Sequence, residues 1–506
     1  VGFYSAFIVA DRVTLISRRA GEDAEQGVKW ESQGKGSYTI ETVEKQQRGT
    51  EIILHLREDE DEFLEGYRLR SIINKFSDHI SIPVMMLKEH FGDDEKEQQE
   101  PEWEQVNTGT ALWMRQKSDI SQEEYSEFYK HIAHDFEDPL AQIHNRVEGV
   151  NEYTSLLFLP KRAPFDLYTP EQKHGVKLYV RRVFIMDEAD QLMPRYLRFI
   201  KGVVDADDLP LNVSREILQH SKKIDAIRKS NVKRVLSLLE KMAKENQEDY
   251  QTFWKTFGRV LKEGPAEDLA NAERIAGLLR FCSTRSEGDE QSVSLDDYLE
   301  RMQEKQEKIY YITADSVAAA RFSPHLEVFK KNDIEVLLLT DHVDEWLVSH
   351  LHEYKGKQLQ SVAKGEVDLE QLKSDEEQKS SKESSKEQGE FLKRLEKALG
   401  GKAKEVRLSQ RLTESSACLV VEDHDMSQNL ARVLQQMGQD APAPTPILEI
   451  NLDHPVVSRL QSLDDQQLFE ELSSVIFDQA LLAEGGKLDD PAGFVRRLNN
   501  LLSPAS

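Results

Sequence analysis

The sequence predicts a mixed α/β chain of several domains that ends in a mostly helical one. Three observations predict it. Two polar stretches, GDDEKEQQEPEWEQ at 92–105 and EVDLEQLKSDEEQKSSKESSKEQGE at 366–390, cut the chain into three blocks. Between them KIYYITAD, a helical segment around Val328, IEVLLLTD and DEWLVSHL spell a β-α-β-α unit, the order that builds a parallel sheet. After the second stretch, apolar residues recur at helical spacing, interrupted by Pro442, Pro444 and Pro446. A length of 506 residues fits about three domains.

Each block has its own pattern. In 1–91, VGFYSAFIVADRV places Phe3, Phe7 and Ile8 at helical spacing. Glycines separate three strand-like runs, RVTLISRR, GSYTIETV and TEIILHLR. LEGYRLRSIINKFSDHI then reads as a helix stopped by Pro83. Residues 92–105 form a charged linker. In 106–365, EYTSLLFLP and VKLYVRRVFIM are strand-like, and 230–263 is a long helical region with Val235, Leu238, Leu239 and Met242 on one face. The β-α-β-α unit carries no glycine fingerprint, so it is read as architecture rather than a nucleotide site. Residues 366–390 hold no aromatic side chain and read as a polar linker or charged helix. Residues 391–506 form the last block.

Composition excludes several functions. The chain carries 92 acidic against 66 basic residues, a net charge of −26. That balance argues against nucleic acid and against anionic membrane surfaces as partners. Cys282 and Cys418 offer neither a disulfide framework nor metal-site spacing, and no apolar run approaches the roughly 20 residues that span a bilayer. The expected location is the cytosol, with no metal site. His131 and His134 stand beside Asp135 without a third ligand nearby, which fits helix packing.

Three stretches carry candidate function. In DDLPLNVSREILQ, 207–219, Ser214 can cap a helix whose first residue is Arg215, with Gln219 one turn on. A cation beside free helical N–H groups suits a phosphate; a carboxylate partner is the alternative. In HDMSQNLARVLQQMGQ, 424–439, Met426, Leu430, Val433, Leu434 and Met437 form one stripe, capped by Asp423 or Asp425. The stripe faces either a core or an adaptable partner surface that methionine suits. Trp346, next to Glu345, is either half-buried packing or an amphipathic contact for unfolded chains. Near the end, Leu468, Leu472, Val475 and Ile476 form a stripe, and Phe494, Leu498, Leu501 and Leu502 another. These two helices form a four-helix bundle with a second copy, or a hairpin within one chain.

The stretches VGFYSAFIVAD, YKHIAHDFEDPL, EYTSLLFLPKRAPFDL, GVKLYVRRVFIMD, DDLPLNVSREILQ and FGRVLKEG, in that order, resemble the ninety-kilodalton heat-shock chaperones. The resemblance continues through IYYITADS, DEWLVSHL and DQALLAEGG. It implies an ATPase domain of the GHKL type, an α/β middle domain and a C-terminal dimerisation domain. It places Gly2 and Phe3 at the end of a nucleotide-wrapping segment and Thr50 on the sheet floor near the adenine. Arg215 becomes the arginine that meets the γ-phosphate of ATP, with Gln219 beside it. The resemblance supports Met426, Leu430, Val433 and Leu434 as client contacts, beside the second candidate Trp346 with Glu345, and makes Leu468, Leu472, Ile476, Phe494, Leu498 and Leu501 the homodimer interface. Unfolded clients and co-chaperones are the implied partners, in the stress response. The family's general-base glutamate, magnesium-binding asparagine and D-x-G-x-G aspartate are expected upstream of Val1, so that the ATPase domain is incomplete. Here the only glycines two apart, Gly34 and Gly36, follow Ser32. Two behaviours follow as expectations: an ATP-dependent chaperone by descent, and an ATP-independent dimeric holdase or scaffold for these residues alone.

Overall fold

The structure is a computed structural model that describes residues 2–88, 102–149, 152–169, 174–207, 209, 222–366, 386–436, 438–439 and 444–502. It divides into two compact units. One comprises Val1–Pro160, Thr169–Met193 and Ile200–Val232; the other comprises Lys161–Tyr168, Pro194–Phe199 and Lys233–Ser506.

The first unit holds a four-stranded antiparallel sheet in the order Tyr38–Val43, Gly27–Ser32, Ala10–Arg18, Gly49–Leu56. Register sorts its residues by face, because side chains alternate along a strand. Leu15 stands opposite Trp30 and Ile52, and Trp30 opposite Ile40, which makes one face apolar. On the other face Thr14 donates to Glu31 at 2.9 Å and lies 3.3 Å from His55. The apolar face stays open: Ile40 is 63 % and Ile52 50 % exposed.

A second sheet in this unit has five strands, ordered Val183–Ala189, Val176–Val180, Lys201–Ala206, Tyr153–Leu159, Ala141–Val147. Tyr153–Leu159 is buried at every position, Thr154 and Ser155 included, as befits a strand covered on both faces. The stretch VKLYVRRVFIM is two strands, not one. It folds back at Arg181 and Arg182, both at positive φ (51° and 66°), with the Arg182 N–H held by Asp205. Asp205 also accepts from the indole N–H of buried Trp113 at 2.8 Å. The helix Gln122–Ala133 starts in a Ser121–Glu124 capping box, and its Tyr125 and Tyr129 join Trp113 in the core.

The second unit contains the expected parallel pairing. Lys308–Thr313 runs parallel to Leu337–Leu339 and to Lys357–Ser361. The helical region expected over 230–263 is two helices, Lys222–Glu245 and Gln247–Leu261, separated where Asn246 caps the second. The last block holds more than helices: Glu405–Leu408, Ile447–Ile450 and Ala417–Val420 form a three-stranded sheet. Runs of four residues such as ACLV carry too few positions for periodicity to separate strand from helix. The helices Lys386–Ala398 and Gln466–Ala483 meet this sheet around Phe391, Leu395, Leu419, Leu448 and Phe469.

Two short pieces from earlier in the chain complete this unit. Phe199 stacks on Phe257 with ring centroids 4.8 Å apart. Arg198 makes a two-pronged bond to Glu263, at 2.6 and 2.9 Å.

Candidate functional site

In the first unit, Gly2 lies in a short 3-10 helix, Gly2–Ser5. Its neighbour Phe3 meets Trp30 edge-on at 5.7 Å. Thr50 is exposed, and its hydroxyl lies 2.8 Å from that of Ser17. Ser17 and Leu15 share a face by alternation, so Phe3 and Thr50 both address the apolar side of the four-stranded sheet. Arg215, Gln219 and Met437 lie outside the described residues. Among the described residues, no group of three or more His, Cys, Asp or Glu is placed to hold a metal ion. No described helix is long and apolar enough to cross a membrane.

In the second unit the site is built from the helix His342–Val348, which carries Glu345 and Trp346. Its start is fixed by a capping box between Asp341 and Asp344. Beneath it lies Lys262 of FGRVLKEG, fully buried, with Nζ 2.8 Å from Asp341 and 2.7 Å from Asp344. Arg259 and Gln291 also donate to Asp341, at 2.8 and 2.9 Å. The Lys262 ammonium sits 5.1 Å from the Phe281 ring centroid and 5.8 Å from that of Trp254. Burial acts to raise the Asp341 pKa, but the Lys262 and Arg259 cations with their hydrogen bonds outweigh it and hold it at about 2. Burial pushes the Asp344 carboxyl up.

The two neighbours on this helix face opposite ways. Trp346 is 55 % exposed and packs on His350, with ring centroids 4.3 Å apart. Glu345 is buried, and its carboxylate accepts from Ser427 Oγ at 2.9 Å and Asn429 Nδ2 at 2.8 Å. That overturns the expectation of Glu345 as a contact surface: its acceptor atoms are spent on its own chain. Successive helix positions lie about 100° apart, so one residue of the pair can be turned in and the next out.

The stripe expected over 424–439 is a shorter helix, Gln428–Gln436. Its cap is Ser427, whose hydroxyl accepts from the Leu430 N–H at 2.9 Å, rather than Asp423 or Asp425. Met426, Leu430, Val433 and Leu434 are half-buried, and among the helix residues whose burial is described, 428–435, only Ala431 is closed off. The stripe is therefore neither a closed core face nor fully open.

Of the expected dimer residues, Leu472 and Ile476 are buried in their own unit's core with Phe469 and Leu448, which removes them from any interface with a second copy. A helix that is apolar most of the way round does not announce which stripe its own fold uses. Leu468, Phe494, Leu498 and Leu501 are half-buried. The helix Pro491–Leu502 is joined to Gln466–Ala483 by an Arg497–Asp478 bond at 3.0 Å. It leaves Val495 52 % and Leu502 74 % exposed. Sequence reasoning missed the roles of Lys262, Asp341, Asn429 and Arg432. Of these only Asp341 left a signal, the D-x-x-D capping spacing at 341–344.

Residues 92–505 match the sequence model of the Hsp90 protein. The chain is similar to the proteins named Chaperone protein HtpG of Nitrosococcus oceani (59 % identical over 503 residues) and Nitrosospira multiformis (58 % over 506). It is also 58 % identical over 510 residues to the one of Nitrosomonas europaea. In each case the match covers 99 % of this chain and 79 % of the relative.

Replacing Lys262 by Met leaves two buried carboxylates without their ammonium and should cost ~3–5 kcal/mol in urea unfolding. The Asp341 pKa is lowered from 3.8 to about 2, so its stabilising contribution is present above about pH 4 and is lost as pH falls through 2. Asp341→Asn should flatten that acid limb in melts between pH 5 and 2.

Proposed function

The chain belongs to the Hsp90 family, and from that premise we propose that it works as a molecular chaperone of the HtpG kind, holding unfolded proteins and coupling their release to ATP. The observation that carries this reading is the exposed Trp346 on a rigidly seated helix, tied through Glu345 to a second helix whose Met426, Leu430, Val433 and Leu434 are half open. A tryptophan with a partly exposed methionine–leucine stripe can re-pack against many apolar sequences. Unfolded clients are the partners this chemistry fits, with co-chaperones a further class and the cytosol the compartment.

The assembly proposed is a homodimer of three-domain protomers, with 1–91 from the ATPase domain, 106–365 the middle domain and 391–506 the dimerisation domain. Val495, Leu502, Phe494, Leu498, Leu501 and Leu468 supply the apolar surface between copies. An exposed valine and leucine on an amphipathic terminal helix are covered at low cost by the same helix of a second copy.

For ATP, Phe3 and Thr50 offer an apolar plane with one exposed hydroxyl, which suits a nucleobase. Arg215, with Gln219 beside it, is proposed to stabilise charge on the terminal phosphate. In an intact family member the nucleotide would supply a phosphoanhydride and Mg²⁺ the charge neutralisation, and these residues would help to orient it. Because Gly34 and Gly36 follow Ser32 and no D-x-G-x-G occurs, these 506 residues by themselves are proposed to hold clients without turnover.

Trp346→Ala or Leu434→Ser should weaken binding of an unfolded protein about fivefold or more, an energy of about 1 kcal/mol, with the circular dichroism melt unmoved. A shifted melt would favour a packing role instead. Val495→Glu with Leu502→Glu should give a monomer in light scattering. Calorimetric titration of the 506-residue polypeptide should show no micromolar ATP binding.

A further inference from the structure

The polar side of the Gln428–Gln436 helix is more tightly engaged than its apolar side. Asn429 and Arg432, three residues apart, share that side. The Arg432 guanidinium reaches three segments at once. Nη1 donates to the Gly485 carbonyl at 2.7 Å, and Nη2 donates to Asn429 Oδ1 at 2.7 Å and lies 2.8 Å from Asp315 Oδ1. The Asn429 amide is thereby oriented, since its oxygen must face the guanidinium. Its Nδ2 then donates to Glu345 at 2.8 Å, while the other Glu345 oxygen takes the Ser427 hydroxyl at 2.9 Å. A continuous chain of hydrogen bonds runs from Glu345 through Asn429 to Arg432, Asp315 and Gly485.

Gly485 is shaped for this. It adopts φ +74°, and a Cβ there would come 2.8 Å from Arg432 Nη1. The residue follows the Gln466–Ala483 helix, at the turn toward Pro491–Leu502. A nine-residue helix is marginal on its own. Its position therefore depends on what holds it, and the half-open apolar stripe gives less hold than these bonds.

We propose that Glu345, Asn429 and Arg432 form a clip that positions the 428–436 helix for client capture, and that Arg432 ties this helix to the turn of the terminal helical hairpin through Gly485. The proposal rests on the client-binding reading above. Glu345 and Arg432 act through the helix and touch no client. The clip contacts come from Asn429 and Arg432, and the client's contacts from Leu430 and Leu434, which turn to another side of the helix.

The test is a set of dissociation constants for one fluorescent unfolded protein, measured on the full chain. Glu345→Ala, Asn429→Ala and Arg432→Ala should each weaken binding about five- to tenfold. The Glu345→Ala/Asn429→Ala double variant should bind no more weakly than the weaker single, because either change opens the clip. Asn429→Ala combined with Trp346→Ala should multiply the two losses. Glu345→Gln keeps an acceptor for Asn429 and should restore near-normal binding, whereas Arg432→Lys keeps the charge, loses the fork and should behave as Ala. If Glu345→Ala does not fold, the Gln and Lys variants decide: a loss in Glu345→Gln equal to that of Asn429→Ala overturns the clip. So do multiplying losses in the Glu345→Ala/Asn429→Ala double, which would mark direct client contacts. Unchanged binding in the clip variants, with losses in Trp346→Ala and Leu434→Ser, overturns the clip and leaves the client face standing. Unchanged binding in Trp346→Ala and Leu434→Ser as well removes the client face, and the clip's purpose with it.

Discussion

One buried ammonium underlies the helix that carries the exposed Trp346. Lys262 has no exposure to water, yet it stands within hydrogen-bond reach of two aspartates that cap the helix bearing Trp346. Stripping water from three charges is expensive, and the geometry is tolerable only because every charge has a partner. Arg259 and Gln291 take the remaining capacity of Asp341. The result is a helix start that cannot slide or rotate without leaving a charge unpaired in a dry interior. An exposed tryptophan needs that kind of base. On a mobile loop it would collapse onto the nearest apolar surface.

The same division recurs at the neighbouring helix. Polar groups fix its place through Glu345, Asn429 and Arg432, and the apolar groups are left partly unsatisfied. Hydrogen bonds are directional and apolar contacts are not. Position is therefore set by the first, and the second remains partly open to solvent. Two of the leucine-stripe residues near the chain's end, Leu472 and Ile476, belong instead to the closed core. There the fold surrounds residue types that it leaves half open on the 428–436 helix.

Much of this was legible in the sequence. The parallel β-α-β-α unit followed from long apolar runs separated by helical patterns, and the helix Gly66–Phe76 from its spacing, although it ends at Ser77, well ahead of the expected stop at Pro83. What escaped had physical reasons. Arginine gives no sign of a left-handed turn, so the hairpin at Arg181 and Arg182 was hidden. Adjacent Glu345 and Trp346 carry no cue to which turns inward, because that depends on Asn429, far along the chain. The Lys262 cluster joins residues that only the fold brings together. The 428–436 helix begins at Ser427 because its hydroxyl found an N–H there, while two aspartates nearby offered equally good caps on paper.

The path of the backbone between the compact units has its own consequence. Lys161–Tyr168 and Pro194–Phe199 belong with a body whose remaining residues begin at Lys233. During synthesis these pieces leave the ribosome before the segments that will hold them, so Phe199 emerges well ahead of Phe257 and Arg198 ahead of Glu263. The earlier unit must therefore mature around strands whose connecting loops are still waiting. Neither body is a contiguous cassette, and a clean cut between them does not exist in the gene.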